Sequence, residues 1–148
     1  MKKILIIILI LLTVLAGAGY WYVEIYQPKQ SAKELVIIYR DFQVGIRSVA
    51  PGQSLQGESE IMKRYETVEE DARDKLNALK PPRKMKPIHK DFVEFLDAFQ
   101  LFISNFKSGG FDQALSDQEQ EQARRGNDLD SKMQELIKTY PELKPLTQ

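Results

Sequence analysis

The sequence predicts an all-α protein, in which an N-terminal transmembrane helix is followed by an antiparallel four-helix bundle. Three observations predict this class. Residues 4–23 are uncharged, four later segments carry apolar residues at helical spacing, and prolines or glycines separate those segments. No stretch of useful length alternates apolar and polar residues like a strand. The predicted divisions are a membrane anchor or uncleaved signal (1–23), a linker (24–30), a helical bundle (31–140) and a tail (141–148).

The N-terminal apolar run is long enough to cross a bilayer. Its 20 residues, at about 1.5 Å of rise each, span a hydrocarbon core of roughly 30 Å. Lys2 and Lys3 precede the run, and Tyr20, Trp21 and Tyr22 close it as an interfacial aromatic belt. The two lysines favour an N-terminus in the cytoplasm. We therefore expect a single-pass protein of the cytoplasmic membrane whose bundle lies outside, in the periplasm or at the cell exterior.

The same segment also fits a signal peptide that is removed after Ala18. Ala16-Gly17-Ala18 is an A-x-A cleavage site, and either interpretation exports the bundle. The apolar run continues past Ala18 into the aromatic belt, which favours a retained anchor. Residues 15–18 also resemble a bacterial lipobox, but Ala18 stands where the lipidated cysteine would be, which excludes lipid attachment by this route.

Four amphipathic segments form the predicted bundle. Pro28 separates the first from the anchor, and Ser31 begins it with a capping box to Glu34. The first helix is expected to end at Pro51-Gly52, the second to run from Glu58 to Pro81-Pro82, the third from Pro87 to Gly109-Gly110, and the fourth from about Asp112 to Thr139. Short links between these helices imply an antiparallel arrangement.

The third helix is the most apolar, so we expect it at the centre of the bundle. The fourth helix turns Leu115, Ala123 and Leu129 inward, but its middle, residues 118–127, is small and polar, and Ser116 is a point where it restarts after a kink. Two interpretations of the phenylalanine stripe follow. It is either the closed core of the bundle or an apolar seam that accepts a ligand or partner, formed by Phe95, Phe99 and Phe102.

A basic stretch, residues 80–90, follows the second helix. It holds five basic residues, no acid and three prolines; the basic residues are Lys80, Arg83, Lys84, Lys86 and Lys90. In an up-and-down bundle this stretch returns to the end from which the anchor emerges. It is therefore either a solvated turn or a surface for anionic headgroups or an acidic protein partner.

This region also carries a resemblance. Leu76-x-x-Leu79-x-Pro81-Pro82, followed by His89 and an amphipathic helix, resembles small uncharacterised exported helical proteins of bacteria, many of which are lipoproteins. The resemblance covers about 30 residues. It implies a helical fold and an exported location, and it implies no activity.

Composition argues against most chemistry. The 21 basic and 21 acidic residues balance, which disfavours nucleic-acid binding, and the chain has no cysteine and a single histidine, His89. Its carboxylate clusters, residues 69–71 and 128–130, stand among lysines and arginines and are expected on solvated faces. No phosphate-binding or nucleophile motif is present. The sequence predicts no metal, no cofactor and no enzyme activity.

The sequence thus predicts a membrane-tethered, non-enzymatic helical bundle that binds or scaffolds other components, with membrane lipid as one partner and a protein as another. The alternative is a carrier or sensor for a small apolar ligand or peptide in the phenylalanine seam. A coiled-coil spacer is disfavoured, because Pro51, Pro81-Pro82 and Gly109-Gly110 interrupt any long rod.

Overall fold

A computed structural model of the chain describes residues 2–49, 58–108 and 113–147, and within them the side chains of 10–49, 60–108 and 117–146. Every regular element among these residues is a helix, so the predicted all-α class is confirmed. The elements are α1 (Lys2–Trp21), a π-helix (Tyr22–Tyr26), α2 (Gln27–Ser48), α3 (Glu58–Ala78), α4 (Lys86–Lys107), α5 (Gln113–Thr139) and a 3-10 helix (Pro141–Thr147). The predicted helix ends at Pro51-Gly52 and Gly109-Gly110 lie outside the described residues.

The first helix, α1, continues into α2 without a break. Trp21, Tyr26 and Gln27 all have right-handed helical backbone angles, and the backbone N–H of Gln27 donates to the carbonyl of Tyr22, as a π turn requires. The segment predicted as a linker, 24–30, is therefore helical. Pro28 lies in the first turn of α2, where the loss of its N–H is tolerated, and it does not separate the two helices.

The first bundle helix consequently begins at Gln27 and not at the predicted cap, Ser31. A capping side chain satisfies backbone N–H groups that have no acceptor in a preceding turn. Here the preceding residues are already helical, so those N–H groups have acceptors in the chain itself. Ser31 is instead a buried residue beside Ala32 and Leu35.

The side chains of α1 that the structure describes are exposed along their whole length. Every side chain from Ile10 to Val23 is exposed, and none of them belongs to the buried core. Leu11, for example, is 58% exposed. Within the described residues, no helix is both long enough and apolar enough to cross a membrane.

The helices α2 to α5 form the predicted antiparallel bundle. Ion pairs between consecutive helices join residues whose numbers rise along one helix as they fall along its neighbour, which is the pattern of antiparallel neighbours. These pairs are Lys75–Asp41 (3.7 Å), Arg73–Asp97 (2.7 Å), Lys107–Glu66, Lys132–Asp91 (2.8 Å) and Arg125–Glu94 (3.2 Å). The α3–α4 connection therefore lies at the end of the bundle where α2 begins.

The centre of the bundle is aromatic. The ring of Phe42 in α2 packs edge-on against Phe95 and Phe99 of α4, with ring centroids 5.6 Å apart in both pairs, and against Phe92 at 6.5 Å. Five residues of α4 are buried, namely Phe92, Phe95, Leu96, Phe99 and Ile103. Since α4 contacts both α3 and α5 and meets α2 through these rings, its predicted central position is confirmed.

The fourth bundle helix, α5, is continuous from Gln113 to Thr139 and does not restart. Its inward stripe runs through Gly126, Leu129 and Met133, at spacings of three and four residues. Ala123 lies off this stripe and is exposed, so the prediction that it points inward is wrong. The side chains of Leu115 and Ser116 lie outside the described part of the chain.

The residues predicted as a tail form a 3-10 helix that packs on α2. Leu143 is 2% exposed and belongs to the core. The backbone N–H of Leu143 donates to the carbonyl of Tyr140 at 2.9 Å, and Nη1 of Arg40 donates to the carbonyl of Leu146 at 3.3 Å. These contacts tie the C-terminal segment to the first helix of the bundle.

Candidate functional site

The candidate site is the connection between α3 and α4, together with the junction between α1 and α2 against which it lies. The connection is short and fixed at several points. The carbonyl of Pro82 accepts hydrogen bonds from the N–H groups of Met85 (2.8 Å) and Lys86 (3.2 Å), and the Met85 side chain is buried. α3 ends at Ala78, shortly before Pro81 and Pro82, because a proline cannot donate the backbone hydrogen bond that a continuing helix needs. The result is a rigid turn.

His89 closes this turn from the α4 side. Its Nε2 atom lies 2.9 Å from the carbonyl oxygen of Leu76, in the last turn of α3. A carbonyl oxygen only accepts, so Nε2 carries the proton and donates it. The Leu76 carbonyl also accepts a hydrogen bond from the backbone N–H of Leu79 at 3.1 Å, so the single histidine of the chain adds a second bond at the end of α3. This contact joins the start of α4 to the end of α3.

Lys84 joins the turn to the α1–α2 junction. Its Nζ atom lies 2.5 Å from the Glu24 carboxylate and donates to the Glu24 carbonyl at 3.3 Å. The α3–α4 turn therefore contacts both the side chain and the carbonyl of Glu24. The hydrogen bond to Glu24 raises the pKa of Lys84 above its usual value. The predicted return of this turn to the anchor end agrees with this contact.

The five basic residues predicted as one surface fall into two groups. Lys84 is paired with Glu24, and Lys90 is paired with Glu94 one turn along α4, at 3.2 Å. The other three are exposed and form no ion pair with any residue that the structure describes; they are Lys80, Arg83 and Lys86. The cationic surface is therefore smaller than the sequence predicted, and the three residues in it remain open to a partner.

Aromatic side chains surround the same junction. The rings of Tyr22 and Tyr26 stack with centroids 5.5 Å apart, and the Trp21 ring lies 5.6 Å from that of Tyr26. All three are exposed. Trp21 and Tyr22 of the predicted belt thus form an aromatic cluster with Tyr26, which begins three residues before Glu24 and its contact with Lys84.

A second ion pair lies on the neighbouring part of α2. Lys29 lies 2.7 Å from the Glu142 carboxylate in the 3-10 helix, and this hydrogen bond lowers the pKa of Glu142. A shallow pocket of about 260 Å³ opens beside this pair and is lined in part by Lys33 and Leu146. The C-terminal segment therefore adds paired charge, and little free charge, to this end of the bundle.

The three phenylalanines predicted as a seam lie at different depths in the bundle. Phe95 and Phe99 are buried and stacked, with centroids 6.3 Å apart, so they fill the core. Phe102 is half-buried and pairs with Phe106 at 6.2 Å. The small residue Gly126 accommodates the Phe95 ring, since a Cβ atom there would lie 3.4 Å from Phe95 Cε2. The polar middle of α5 thus leaves room for a ring of α4.

Charged residues close the polar part of the α4–α5 interface. Arg125 bridges Glu94 of α4 at 3.2 Å and Glu121 of its own helix at 2.7 Å. Hydrogen bonds from Arg124 and Arg125 lower the pKa of Glu121 to about 2. An open groove of about 440 Å³ lies outside this interface and includes the exposed Leu101.

Sequence reasoning missed one buried charge. Glu69 was expected on a solvated face, but it is 2% exposed and accepts a hydrogen bond from Nε of Arg73 at 2.6 Å. Burial raises the pKa of Glu69, although the hydrogen bond from Arg73 opposes the shift. Arg73 also donates to Asp97 at 2.7 Å. Glu69 lies four residues after Tyr65 and three before Ala72, so its place on the apolar face was visible in the spacing.

A second polar network crosses the bundle. The Tyr39 hydroxyl donates to Asp130 at 3.0 Å and accepts from Gln43 Nε2 at 2.7 Å. Burial first, and then the bond to Asp130, raises the pKa of Tyr39 far above its usual range. The hydroxyl therefore stays protonated and links α2 to α5. No sequence pattern points to this pair, because its members are 91 residues apart.

These arrangements offer contacts and no obvious reaction. Among the residues that the structure describes, no group of three or more histidine, cysteine, aspartate or glutamate residues could hold a metal ion. The chemistry that the site does offer is the binding of anions by three free cations next to an exposed aromatic cluster.

No protein-family model, curated protein sequence or solved structure matches the chain.

Proposed function

We propose that this chain is a membrane-tethered, non-enzymatic helical bundle that binds or scaffolds other components at the outer face of the cytoplasmic membrane. The observation that carries the proposal is the exposure of every described side chain from Ile10 to Val23. A continuous apolar surface of that size marks a site of contact with a membrane or a protein. The uncharged run of residues 4–23 and the two lysines before it favour the membrane and an N-terminus inside.

The form of the junction supports a tether that also orients the bundle. A flexible linker would let the bundle tumble on its anchor, whereas α1, the π-helix and α2 follow one another as helices. Lys84 braces this junction from the α3–α4 turn through its two contacts with Glu24. A bundle held in this way presents the same surfaces to its surroundings at all times, which suits a scaffold.

The placement of the polar residues supports binding without catalysis. The ring of His89 contacts the Leu76 carbonyl, so the single histidine of the chain already has a structural partner. The ring packing of Phe95 and Phe99 gives no support to the alternative carrier or sensor function, because both rings contact other rings of the core. We therefore take the scaffold as the single proposal.

Membrane extraction of the full chain tests the tether. The wild-type chain should resist alkaline extraction, and its intact mass should begin at Met1. The variant Leu11→Lys/Val14→Lys should be extracted more readily, because each lysine near the centre of a spanning helix costs about 2.5–3.5 kcal/mol. The matched control is Val44→Lys/Leu101→Lys, which makes the same change at apolar residues of α2 and α4 that are similarly exposed.

The control should stay in the membrane fraction. A wild-type chain that begins at Gly19, or a control as extractable as the Leu11→Lys/Val14→Lys variant, would contradict the tether. The scaffold role is tested by cross-linking the full chain in its native membrane and identifying partners by mass spectrometry. A chain that cross-links only to lipid, and to no protein, would contradict that role.

A further inference from the structure

We propose that the α3–α4 connection binds the headgroups of anionic phospholipids through Lys80, Arg83 and Lys86. This inference rests on the proposed membrane tether and goes beyond it, because it assigns a lipid-recognition surface to the bundle itself. The surface is named here the headgroup surface, and it consists of those three residues. Lys84 and Lys90 are not part of it, since both are paired with glutamates.

Position is the first argument for this partner. Lys84 contacts Glu24, which lies three residues after Trp21 in a continuous helical segment. Three residues of helix rise about 5 Å, so the turn that carries the headgroup surface lies close to the level of the aromatic cluster. Trp and Tyr side chains concentrate at the headgroup level of a bilayer. A turn held at that level meets lipid headgroups before it meets any other partner.

Charge is the second argument. From residue 79 to residue 90 the chain has no acid, and the three residues of the headgroup surface are exposed and form no ion pair with the residues that the structure describes. The Debye length is about 8 Å at physiological salt, which exceeds the estimated separation from the interface. The attraction between these cations and an anionic bilayer is therefore only partly screened.

Rigidity is the third argument. Binding by a flexible loop loses free energy when the loop becomes ordered, whereas this turn is already ordered. Backbone hydrogen bonds to Pro82, the buried Met85 side chain and the bond from His89 to Leu76 hold it in place. The three cations are thus presented from a fixed base, and only their side chains remain to be ordered by a phosphate group.

The single tryptophan of the chain provides the readout. Trp21 adjoins the junction, and no other tryptophan contributes fluorescence. The full chain is reconstituted in phosphatidylcholine vesicles that contain increasing fractions of a brominated lipid. This lipid is either phosphatidylglycerol or phosphatidylcholine, and in both cases the bromine is on the upper part of the acyl chain. If anionic lipid gathers at the headgroup surface, brominated phosphatidylglycerol quenches Trp21 at lower fractions than brominated phosphatidylcholine does. The difference should shrink as salt rises from about 0.05 M to about 0.5 M.

Two double variants locate the effect. Each basic residue near an anionic surface strengthens binding by about five-fold, so Arg83→Gln/Lys86→Gln should raise the phosphatidylglycerol fraction needed for half-maximal quenching by roughly ten-fold or more. The matched control is Arg47→Gln/Lys63→Gln, which also removes one arginine and one lysine, both exposed, from the end of the bundle far from the junction. The control should keep the wild-type preference.

The outcomes separate this inference from the tether. Equal quenching by the two brominated lipids, or a preference that survives Arg83→Gln/Lys86→Gln, overturns the headgroup surface and leaves the tether standing. If the control Arg47→Gln/Lys63→Gln also loses the preference for phosphatidylglycerol, the effect comes from the net charge of the chain, and the headgroup surface is again wrong. If neither brominated lipid quenches Trp21 in the wild type, the tether itself is wrong and the headgroup surface falls with it.

Discussion

Gly45 marks the closest approach of α2 and α3, and replacing it with alanine tests that packing directly. A Cβ atom at this position would lie 2.7 Å from Cγ1 and 3.0 Å from Cγ2 of Val68. Valine is branched at Cβ and has one strongly preferred rotamer in a helix, so it cannot swing aside at low cost. The new methyl group therefore forces the two helices apart.

Two opposing effects set the size of the change. Alanine is a better helix former than glycine by about 1 kcal/mol in a helix interior. Overpacking a well-packed contact costs about 1–3 kcal/mol. Gly45→Ala should therefore lower the free energy of unfolding by about 0–2 kcal/mol, since the clash outweighs the gain in propensity.

Gly126 in α5 provides a matched control. A Cβ atom there would lie 3.4 Å from Phe95 Cε2, which is an ordinary contact distance. Gly126→Ala should therefore raise the free energy of unfolding by up to about 1 kcal/mol. The two identical substitutions, each inside a bundle helix, are expected to change stability in opposite directions.

Thermal unfolding of the full chain in detergent, followed by far-ultraviolet circular dichroism, measures both variants. A difference of 1–3 kcal/mol between them corresponds to several degrees in Tm, at about 4 °C per kcal/mol for a bundle of this size. The variant Val68→Ala removes the clashing methyl groups, so Gly45→Ala should become stabilising when added to it. If Gly45→Ala stabilises the chain in the presence of Val68 as much as Gly126→Ala does, the close approach of α2 and α3 is wrong.

Three further predictions follow, two from the polar contacts and one from the sequence-based prediction that the fold needs no metal. Burial raises the pKa of Glu69, so the folded state binds its proton more tightly than the unfolded state does. The free energy of unfolding should therefore fall as the pH rises from 4.5, the usual pKa of a glutamate, through the raised pKa of Glu69. Denaturant titrations at a series of pH values should show this fall in the wild type and a weaker fall in Glu69→Gln. If the free energy of unfolding depends on pH with the same slope in both proteins, Glu69 is excluded as the source of the fall. Lys84→Met should increase amide hydrogen exchange at residues 22–28, because it removes both contacts with Glu24. The control Lys90→Met should not increase it. Equal exchange in the two variants would contradict the inference that Lys84 stabilises this junction. Residues 27–148, expressed alone, should give a helical spectrum and a cooperative melt that a chelator leaves unchanged, and a melt that collapses on chelation would reveal a missed metal site.

The parts of the fold that depend on short-range patterns could be predicted from the sequence. The apolar spacing in α4 predicts its buried face, and Pro87 predicts its first turn, because both signals lie within one helix. The proline pair after α3 likewise predicts the turn. The position of this turn at the anchor end follows from counting antiparallel helices, and the contact between Lys84 and Glu24 agrees with it.

The parts of the fold that depend on contacts between distant residues could not be predicted from the sequence. Pro28 next to a polar segment is typical of a linker, and the contact that holds this junction comes from Lys84, 60 residues from Glu24 in the sequence. The spacing places Glu69 on the apolar face of α3, but no short-range pattern indicates that Arg73 bonds both to it and to Asp97 of another helix. The phenylalanine stripe is compatible with a core or a seam until the Phe42 ring is known to contact it.

The basic stretch shows why a count of charges is not a count of binding residues. Lys84 and Arg83 are neighbours in sequence, but Lys84 is committed to the α1–α2 junction while Arg83 is exposed and unpaired among the described residues. Because Lys84 holds the turn beside Glu24, it sets where Arg83 lies relative to the aromatic cluster. Loss of Lys84 should therefore disturb the position of the surface, whereas loss of Arg83 should weaken its charge and leave the position unchanged.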